Sequence, residues 1–112
     1  MASQLEKITD SVLRFRDARD WKQFHNPKDL ALALSIEAAE LNELFLWKSH
    51  DAADKRRVAE ELADVFIYSL LLAHESGVDI AEAVKRKLRA NRKKYPVKKA
   101  KGSARKYTEF TK

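Results

Sequence analysis

The sequence predicts an all-α fold, and three observations carry that prediction. The 112 residues include only two glycines and two prolines, far fewer than the turns of a β fold need. Apolar residues recur at helical spacing in four segments, and no segment shows a long alternation of apolar and polar residues. The length suits one domain, so we expect residues 1–96 to form a helical domain and residues 97–112 a basic, loosely ordered tail.

Residues 4–19 predict the first helix, because their apolar side chains recur every three or four positions. The resulting stripe consists of Leu5, Ile8, Val12 and Phe15. After a loop, Asn26 is suited to cap the second helix and Pro27 to occupy its first position. The second helix is then expected to run to about Trp47.

The polar residues 49–54 separate the second helix from a third, which we expect over about residues 54–76. Gly77 is expected to end it, because glycine readily adopts the left-handed conformation found after helix C-termini. Asp79 can cap a fourth helix, and Pro96 is expected to end that one. Small helical chains commonly need a second copy to complete their core, so we expect a four-helix bundle completed by oligomerisation.

The composition excludes several classes of function. Without cysteine, the chain has no disulfide framework, no thiolate nucleophile and no cysteine zinc site. Neither a signal peptide nor an apolar run of roughly 18 residues is present, so we expect a soluble, cytoplasmic protein. The net charge of +6 lies mostly in residues 97–112, where six basic residues and one acidic residue give +5. Such a tail is no signature of base-specific binding, and nucleic acid is not an expected partner.

Glu37 occupies a position of the second helix where another leucine is expected. The buried stripe of that helix consists of Leu30, Leu34, Leu41 and Leu44. Glu37 lies three residues after Leu34 and four before Leu41, which places it inside the stripe. Glu40 lies at the edge of the same stripe. Two acidic side chains of this helix are therefore expected to point toward the core.

The third helix repeats this arrangement. Its inner side consists of Val58, Leu62, Val65, Phe66 and Ser69. Glu61 flanks that side and Asp64 follows three residues later, whereas Glu60 is expected in solvent. A short loop makes the two helices antiparallel neighbours, so both acidic pairs can converge between them.

Four converging carboxylates require protons or cations, because an unpaired buried charge is strongly unfavourable. A single inward glutamate is usually explained by a buried arginine or lysine, but two pairs at this spacing favour a metal site. No glutamate is followed three residues later by histidine, as redox di-iron bundles require. Ligation by oxygen alone suits Mg²⁺, with Mn²⁺ as the second candidate, and Mg²⁺ commonly shares its coordination with substrate phosphates.

Glu37-x-x-Glu40 followed by Glu61-x-x-Asp64 resembles the signature of the MazG-like all-α nucleoside triphosphate pyrophosphohydrolases. The segments RDWKQFHNPKDLALAL, ELADVFIYSLLLA and KLRANRKKYPV resemble the dCTP pyrophosphatase branch of that family, in the same order. The resemblance covers about residues 13–97. The family pattern often has a further acid before the first glutamate, where this chain has Ile36.

The resemblance implies hydrolysis of a nucleoside triphosphate, in particular dCTP or a related pyrimidine nucleotide, to the monophosphate and pyrophosphate. It implies a role in clearing unwanted nucleotides from the pool and a homodimer or homotetramer. The motif match further implies that Mg²⁺ binding and catalysis are carried out by Glu37, Glu40, Glu61 and Asp64.

Two further groups of residues are expected to bind the substrate. The motif at the fourth helix assigns the triphosphate to Lys87, Asn91, Arg92 and Tyr95, since arginine and lysine both bind phosphate. For the base, flat side chains that can stack on it are the candidates, namely Trp21, His25, Trp47 and Tyr68. Trp47 would share the helical angle of Glu40, and Tyr68 follows Asp64 by one turn, so we expect both near the acidic pairs.

A function of a different class remains an alternative. The chain could be a non-enzymatic helical module that binds nucleic acid or an acidic partner through its basic C-terminal region. That function explains the charge of the tail but not Glu37 inside a leucine stripe. Acidic groups that face bulk water, or that arginine and lysine neutralise entirely, would leave the enzymatic function supported by the family resemblance alone.

Overall fold

Helices account for nearly all regular structure in residues 1–110, which are the residues that this computed structural model describes. The long helices are α1 (Gln4–Ala18), α2 (Pro27–Glu43), α3 (Lys55–Glu75) and α4 (Ile80–Lys94). A single helical turn, α5, follows at Val97–Ala100, and 3-10 turns lie at Lys22–Phe24 and Tyr107–Glu109. Within residues 1–110 there is no strand. The predicted all-α class and its four long helices are confirmed.

Polar side chains begin each of the four long helices. The caps are Ser3, Asn26, Asp54 and Asp79, and each accepts a hydrogen bond from a backbone N–H of the first turn. Such a cap satisfies an N–H group that the helix itself leaves free and contributes about 1 kcal/mol. At the other end of α3, Gly77 adopts a φ of 67°, as expected for a left-handed residue after a helix.

The second helix ends earlier than the sequence predicts. It stops at Glu43, and residues 44–47 form consecutive tight turns closed by hydrogen bonds between residues three apart, such as Phe45 N–H to the Asn42 carbonyl at 3.1 Å. Trp47 has a φ of 60°, a left-handed conformation that bulky residues rarely adopt. The expectation that Trp47 continues the helical angle of Glu40 is therefore wrong.

Contacts divide the chain into two units, Met1–Val78 and Asp79–Lys112. In the first unit, α3 packs against both α2 and α1. Its core consists of Leu30, Leu44, Leu70, Leu71 and Ala73. Leu30 and Leu44 begin and end the predicted stripe of α2, so the stripe faces the interior as expected. The expected boundary after residue 96 stays a prediction.

The second unit contains α4, α5 and the last 3-10 turn. The ring of Tyr95 packs edge-on against Tyr107 and Phe110, with centroids 5.8 Å apart in both pairs. Lys94 places its ammonium 5.0 Å from the Tyr107 ring. Tyr107 and Phe110 of the predicted tail thus contact Tyr95 at the end of α4, and the expected loose order of the tail stays a prediction. The end of the predicted tail, residues 111–112, lies outside the described residues.

Several large apolar side chains of α2 and α3 remain exposed. Leu32 and Ile36 of α2 are 55% and 59% exposed, and Leu62 and Phe66 of α3 are 54% and 47% exposed. We expected Leu62 and Phe66 on the inner side of α3, so this part of the prediction is not met within one chain. No helix in residues 1–110 is both long and apolar enough to cross a membrane.

Candidate functional site

Carboxylates from α2 and α3 come together within the first unit. Glu37, Glu61 and Asp64 each offer one oxygen, and these three oxygens lie within 4.8 Å of one another. The end of α2 and the start of α3 share a small cavity, which Glu43 and Arg57 both line, so the two helices run antiparallel. That arrangement places Glu37, which lies in the leucine stripe of α2, opposite Glu61 and Asp64 of α3.

Glu40 completes a group of four acids that we call the carboxylate cluster. Its carboxyl raises the pKa values of both Glu37 and Glu61. Neighbouring carboxyls that are all ionised repel one another, so protonation of one of them relieves the repulsion. Without a cation, the cluster therefore favours retention of a proton.

The pKa values of the cluster follow from burial and from mutual repulsion. Burial, and then the carboxyls of Glu40, Asp64 and Glu61, raise the pKa of Glu37 from 4.5 to about 7. Burial and the same kind of repulsion, chiefly from Glu40, also raise the pKa of Glu61. Arg57 opposes the shift at Glu61 but is the smallest of the influences there. The ionised state of the cluster is thus unfavourable in the absence of a counter-charge.

The donor set of the cluster fits a divalent cation. Glu37 Oε2 and Glu61 Oε2 are buried without any hydrogen-bond partner, which is rare for buried polar atoms. The ion pairs of the described chain all lie elsewhere, at Arg16–Asp17, Arg16–Glu75, Arg56–Glu60 and Glu82–Lys85. Since no ion pair in this part of the chain neutralises the cluster, its oxygens match the ligand preference of a hard cation.

A cavity of about 410 Å³, which we call the aromatic cavity, adjoins the carboxylate cluster. Its walls are mainly apolar, and its lining residues are Ser11, Val12, Phe15, Arg16, Trp21, His25, Asp64, Ile67, Tyr68 and Leu71. Asp64 belongs to both the cavity and the cluster. The volume lies within the range of small-molecule pockets, so a flat ligand held there would lie directly beside the acids.

Three of the four residues predicted to bind the base line this cavity. The Trp21 ring packs edge-on against Phe15 with centroids 5.7 Å apart. His25 Nδ1 is buried and has no hydrogen-bond partner. Burial, followed by the charges of Glu37, Asp64 and Glu40, raises the pKa of Tyr68, so its hydroxyl stays protonated and can donate. The cavity therefore combines aromatic faces with polar groups free to bind a ligand.

Trp47, the fourth of these residues, lies elsewhere in the chain. It lines a separate surface depression at the end of α2 with residues such as Asn42 and Leu46, and it is 94% exposed. The expectation that Trp47 and Tyr68 share a cavity is not met within one chain. A role for Trp47 in binding the base stays a prediction.

The residues predicted to bind the triphosphate lie in the second unit. Lys87, Asn91 and Arg92 belong to α4, and Tyr95 follows its last residue. Asn91 is half-buried and its carbonyl accepts the Tyr95 N–H at 2.7 Å, whereas Lys87 and Arg92 are exposed. Their roles toward phosphate stay predictions.

Sequence reasoning missed Arg16 as a lining residue of the cavity. Arg16 is only 3% exposed, whereas Phe15, which we placed on the inner stripe of α1, is half exposed at the cavity. The sequence did indicate that Arg16 points inward, because Arg16 follows Val12 by four residues and therefore continues the inner stripe of α1. A basic residue at such a position indicates either a buried ion pair or a ligand.

Three comparisons relate the chain to known proteins. Residues 32–110 match the model of the MazG-like family, which confirms the resemblance and extends it past residue 97. The chain is 46% identical to dCTP pyrophosphatase 1 of Mus musculus and 42% identical to that of Homo sapiens, each over 95% of this chain and 67% of the relative. A crystal structure of a pyrophosphatase from Archaeoglobus fulgidus is similar with a TM-score of 0.80 and 41% identity, covering 86% of this chain and 95% of that one.

Proposed function

We propose, since this chain belongs to the MazG-like family and is a nucleoside triphosphate pyrophosphohydrolase, that it hydrolyses dCTP or a related pyrimidine deoxynucleotide with Mg²⁺. The products would be the monophosphate and pyrophosphate, and the role would be removal of unwanted nucleotides from the pool. One observation carries the proposal: buried, partnerless carboxylate oxygens lie beside a cavity walled by aromatic rings. The names of the relatives support the choice of base.

The carboxylate cluster would hold Mg²⁺, or Mn²⁺, through Glu37, Glu40, Glu61 and Asp64. A divalent cation bound there supplies charge neutralisation for the polyphosphate and makes a bound water more acidic. In the reaction, water attacks the α-phosphorus, a new P–O bond forms, and the bond to the bridging oxygen of the β-phosphate breaks. A carboxylate of the cluster can take the proton of the attacking water.

The aromatic cavity would hold the base. Trp21 and Tyr68 offer faces for stacking, and His25 Nδ1 offers a hydrogen-bonding group that the protein itself leaves unused. Because Asp64 lines the same cavity, a base bound there keeps its phosphates close to the acids. This binding fixes the orientation of the substrate before the chemical step.

Substitution of Trp21 tests this use of the cavity. Trp21→Ala should raise KM for the nucleotide about tenfold or more while kcat changes little, since one stacked base contributes about 1–3 kcal/mol. Steady-state kinetics with Mg²⁺ in excess measures both constants. Phe24→Ala is the matched control, because Phe24 belongs to the same loop and is exposed but does not line the cavity. Equal KM values for the two variants would contradict the assignment.

A product assay tests the proposed function as a whole. The purified chain is incubated with Mg²⁺ and a panel of ribonucleoside and deoxynucleoside triphosphates, and the released phosphate species is identified. We expect pyrophosphate and the nucleoside monophosphate, with cytosine deoxynucleotides turned over fastest. Release of orthophosphate, or no release from any nucleotide, would refute the proposal and leave the binding-module alternative.

A homo-oligomer, either a dimer or a tetramer, is part of the proposal. The exposed apolar residues Leu32 and Ile36 of α2, and Leu62 and Phe66 of α3, support it, because association of copies removes exposed apolar side chains from water. Sedimentation equilibrium gives the mass directly, and a monomer at micromolar concentration would contradict this part of the proposal.

A further inference from the structure

Arg16 is the one buried charged residue in residues 1–110. Its Nε donates to Asp17 Oδ1 at 2.9 Å, and its Nη1 donates to Glu75 Oε1 at 2.6 Å. Glu75 is the last residue of α3, so this ion pair joins α1 to α3. The two carboxylates compensate the charge of the guanidinium and fix its orientation.

The guanidinium retains hydrogen-bonding capacity beyond this pairing. Arginine has five N–H donors, and the hydrogen bonds found in the described chain use two of them. Arg16 also lines the aromatic cavity, together with Trp21, His25 and Tyr68. The Nη2 group has no hydrogen-bond partner among the described residues, so a ligand that brings acceptors into the cavity can bind these free donors.

We infer that Arg16 is a specificity-determining residue that recognises the base through its remaining N–H donors. This inference rests on the proposed function, because it takes the cavity to hold the nucleobase. Cytosine presents two adjacent acceptors, O2 and N3, which match a guanidinium edge. Uracil and thymine carry an N3–H donor in the same place, which leaves an arginine donor unpaired and repelled. Arg16 therefore favours cytosine over the other pyrimidines.

Arg16→Lys tests the inference, since lysine keeps the charge but not the planar fork of donors. The first readout is the ratio of kcat/KM for dCTP to that for dUTP, with Mg²⁺ in excess. The second is the ratio of the calorimetric Kd values of deoxycytidine and deoxyuridine in EDTA, which involves neither metal nor turnover. We expect the variant to lose about tenfold or more of the cytosine preference in both readouts.

Arg14→Lys is the matched control, because Arg14 is an exposed arginine of the same helix and does not line the cavity. It should leave both ratios unchanged. A cytosine preference that persists in Arg16→Lys, or its absence from the unaltered chain, would overturn the inference.

A double variant, Arg16→Met with Glu75→Met, covers the case in which Arg16→Lys does not fold. Removing Arg16 and Glu75 together leaves no buried charge, because the other partner, Asp17, is mostly exposed to solvent, and such a replacement is often neutral for stability. Loss of the cytosine preference with an unchanged Tm would support the inference, whereas a retained preference would reduce Arg16 to a structural role.

The two readouts also separate this inference from the proposed function. If the chain releases no pyrophosphate but binds deoxycytidine in preference to deoxyuridine through Arg16, the proposed function fails and the inference stands. If it releases pyrophosphate and Arg16→Lys leaves both ratios unchanged, only the inference fails.

Discussion

Glu37→Gln should lower pyrophosphate release at least about 100-fold and, in the absence of metal, make the protein more stable at pH 8. The loss of activity follows because an amide is a poor substitute for a carboxylate ligand. Mutation of residues that only hold a metal ligand in place already lowers metal affinity or activity about 10–100-fold. The gain in stability follows because the amide removes one charge from a cluster of four and can donate to a neighbouring carboxylate.

Two measurements test this pair of effects. Pyrophosphate release at saturating Mg²⁺ gives kcat, and thermal unfolding in EDTA at pH 8 gives Tm. Glu60→Gln is the matched control, because Glu60 is exposed on α3 and lies 3.5 Å from Arg56 rather than in the cluster. Retained activity in Glu37→Gln would refute the assignment of the site, and a lower Tm in EDTA would refute the repulsion that we ascribe to the cluster.

The stability of the metal-free protein should fall as the pH rises from about 5 to about 8. The pKa of Glu37 is about 7 in the folded protein and 4.5 without its surroundings. Between these values the folded state binds more protons than the unfolded state, so the free energy of unfolding decreases with rising pH. The stability that protonated Glu37 contributes to the folded state is fully present below pH 4.5, and it is lost as the pH rises through about 7. Glu61, whose pKa is also raised, acts in the same direction.

Mg²⁺ should reverse this dependence, because the cation binds the ionised cluster in competition with protons. The Tm is therefore measured from pH 5 to pH 8 in EDTA and in excess Mg²⁺. We expect the stabilisation by Mg²⁺ to grow across this range, and Glu37→Gln to flatten the curve obtained in EDTA. Parallel curves with and without Mg²⁺ would contradict cation binding at the cluster.

A buried arginine was the main competing explanation for inward-pointing acids, and the structure does contain one. Arg16, however, pairs with Asp17 and Glu75 and not with the carboxylate cluster. One buried oxygen of Glu37 and one of Glu61 thus have no hydrogen-bond partner in the described chain, and Arg57 offsets the repulsion at Glu61 only in part. This distribution of partners favours the metal site over the alternative in which basic side chains neutralise the acids.

Local periodicity was sufficient to predict the long helices and the position of Glu37. The cap residues and the leucine stripe of α2 are short-range features, and one acid inside that stripe stands out against them. The aromatic cavity was harder to predict from the sequence, because it forms only where α1 packs on α3. It brings Arg16 together with residues about fifty positions away, such as Tyr68. The early end of α2 was also missed, because the apolar residues 44–47 continue to look helical in sequence.

The placement of the two tryptophans gives the chain a pair of separate optical probes. Trp21 lies in the cavity wall against Phe15, whereas Trp47 projects into solvent. A nucleobase stacked in the cavity would quench the indole emission of Trp21, and a change in the emission of Trp47 would test its predicted role in binding the base. A Trp47→Phe chain would therefore carry a single intrinsic fluorophore at the cavity, so that occupancy could be followed by titration without a label.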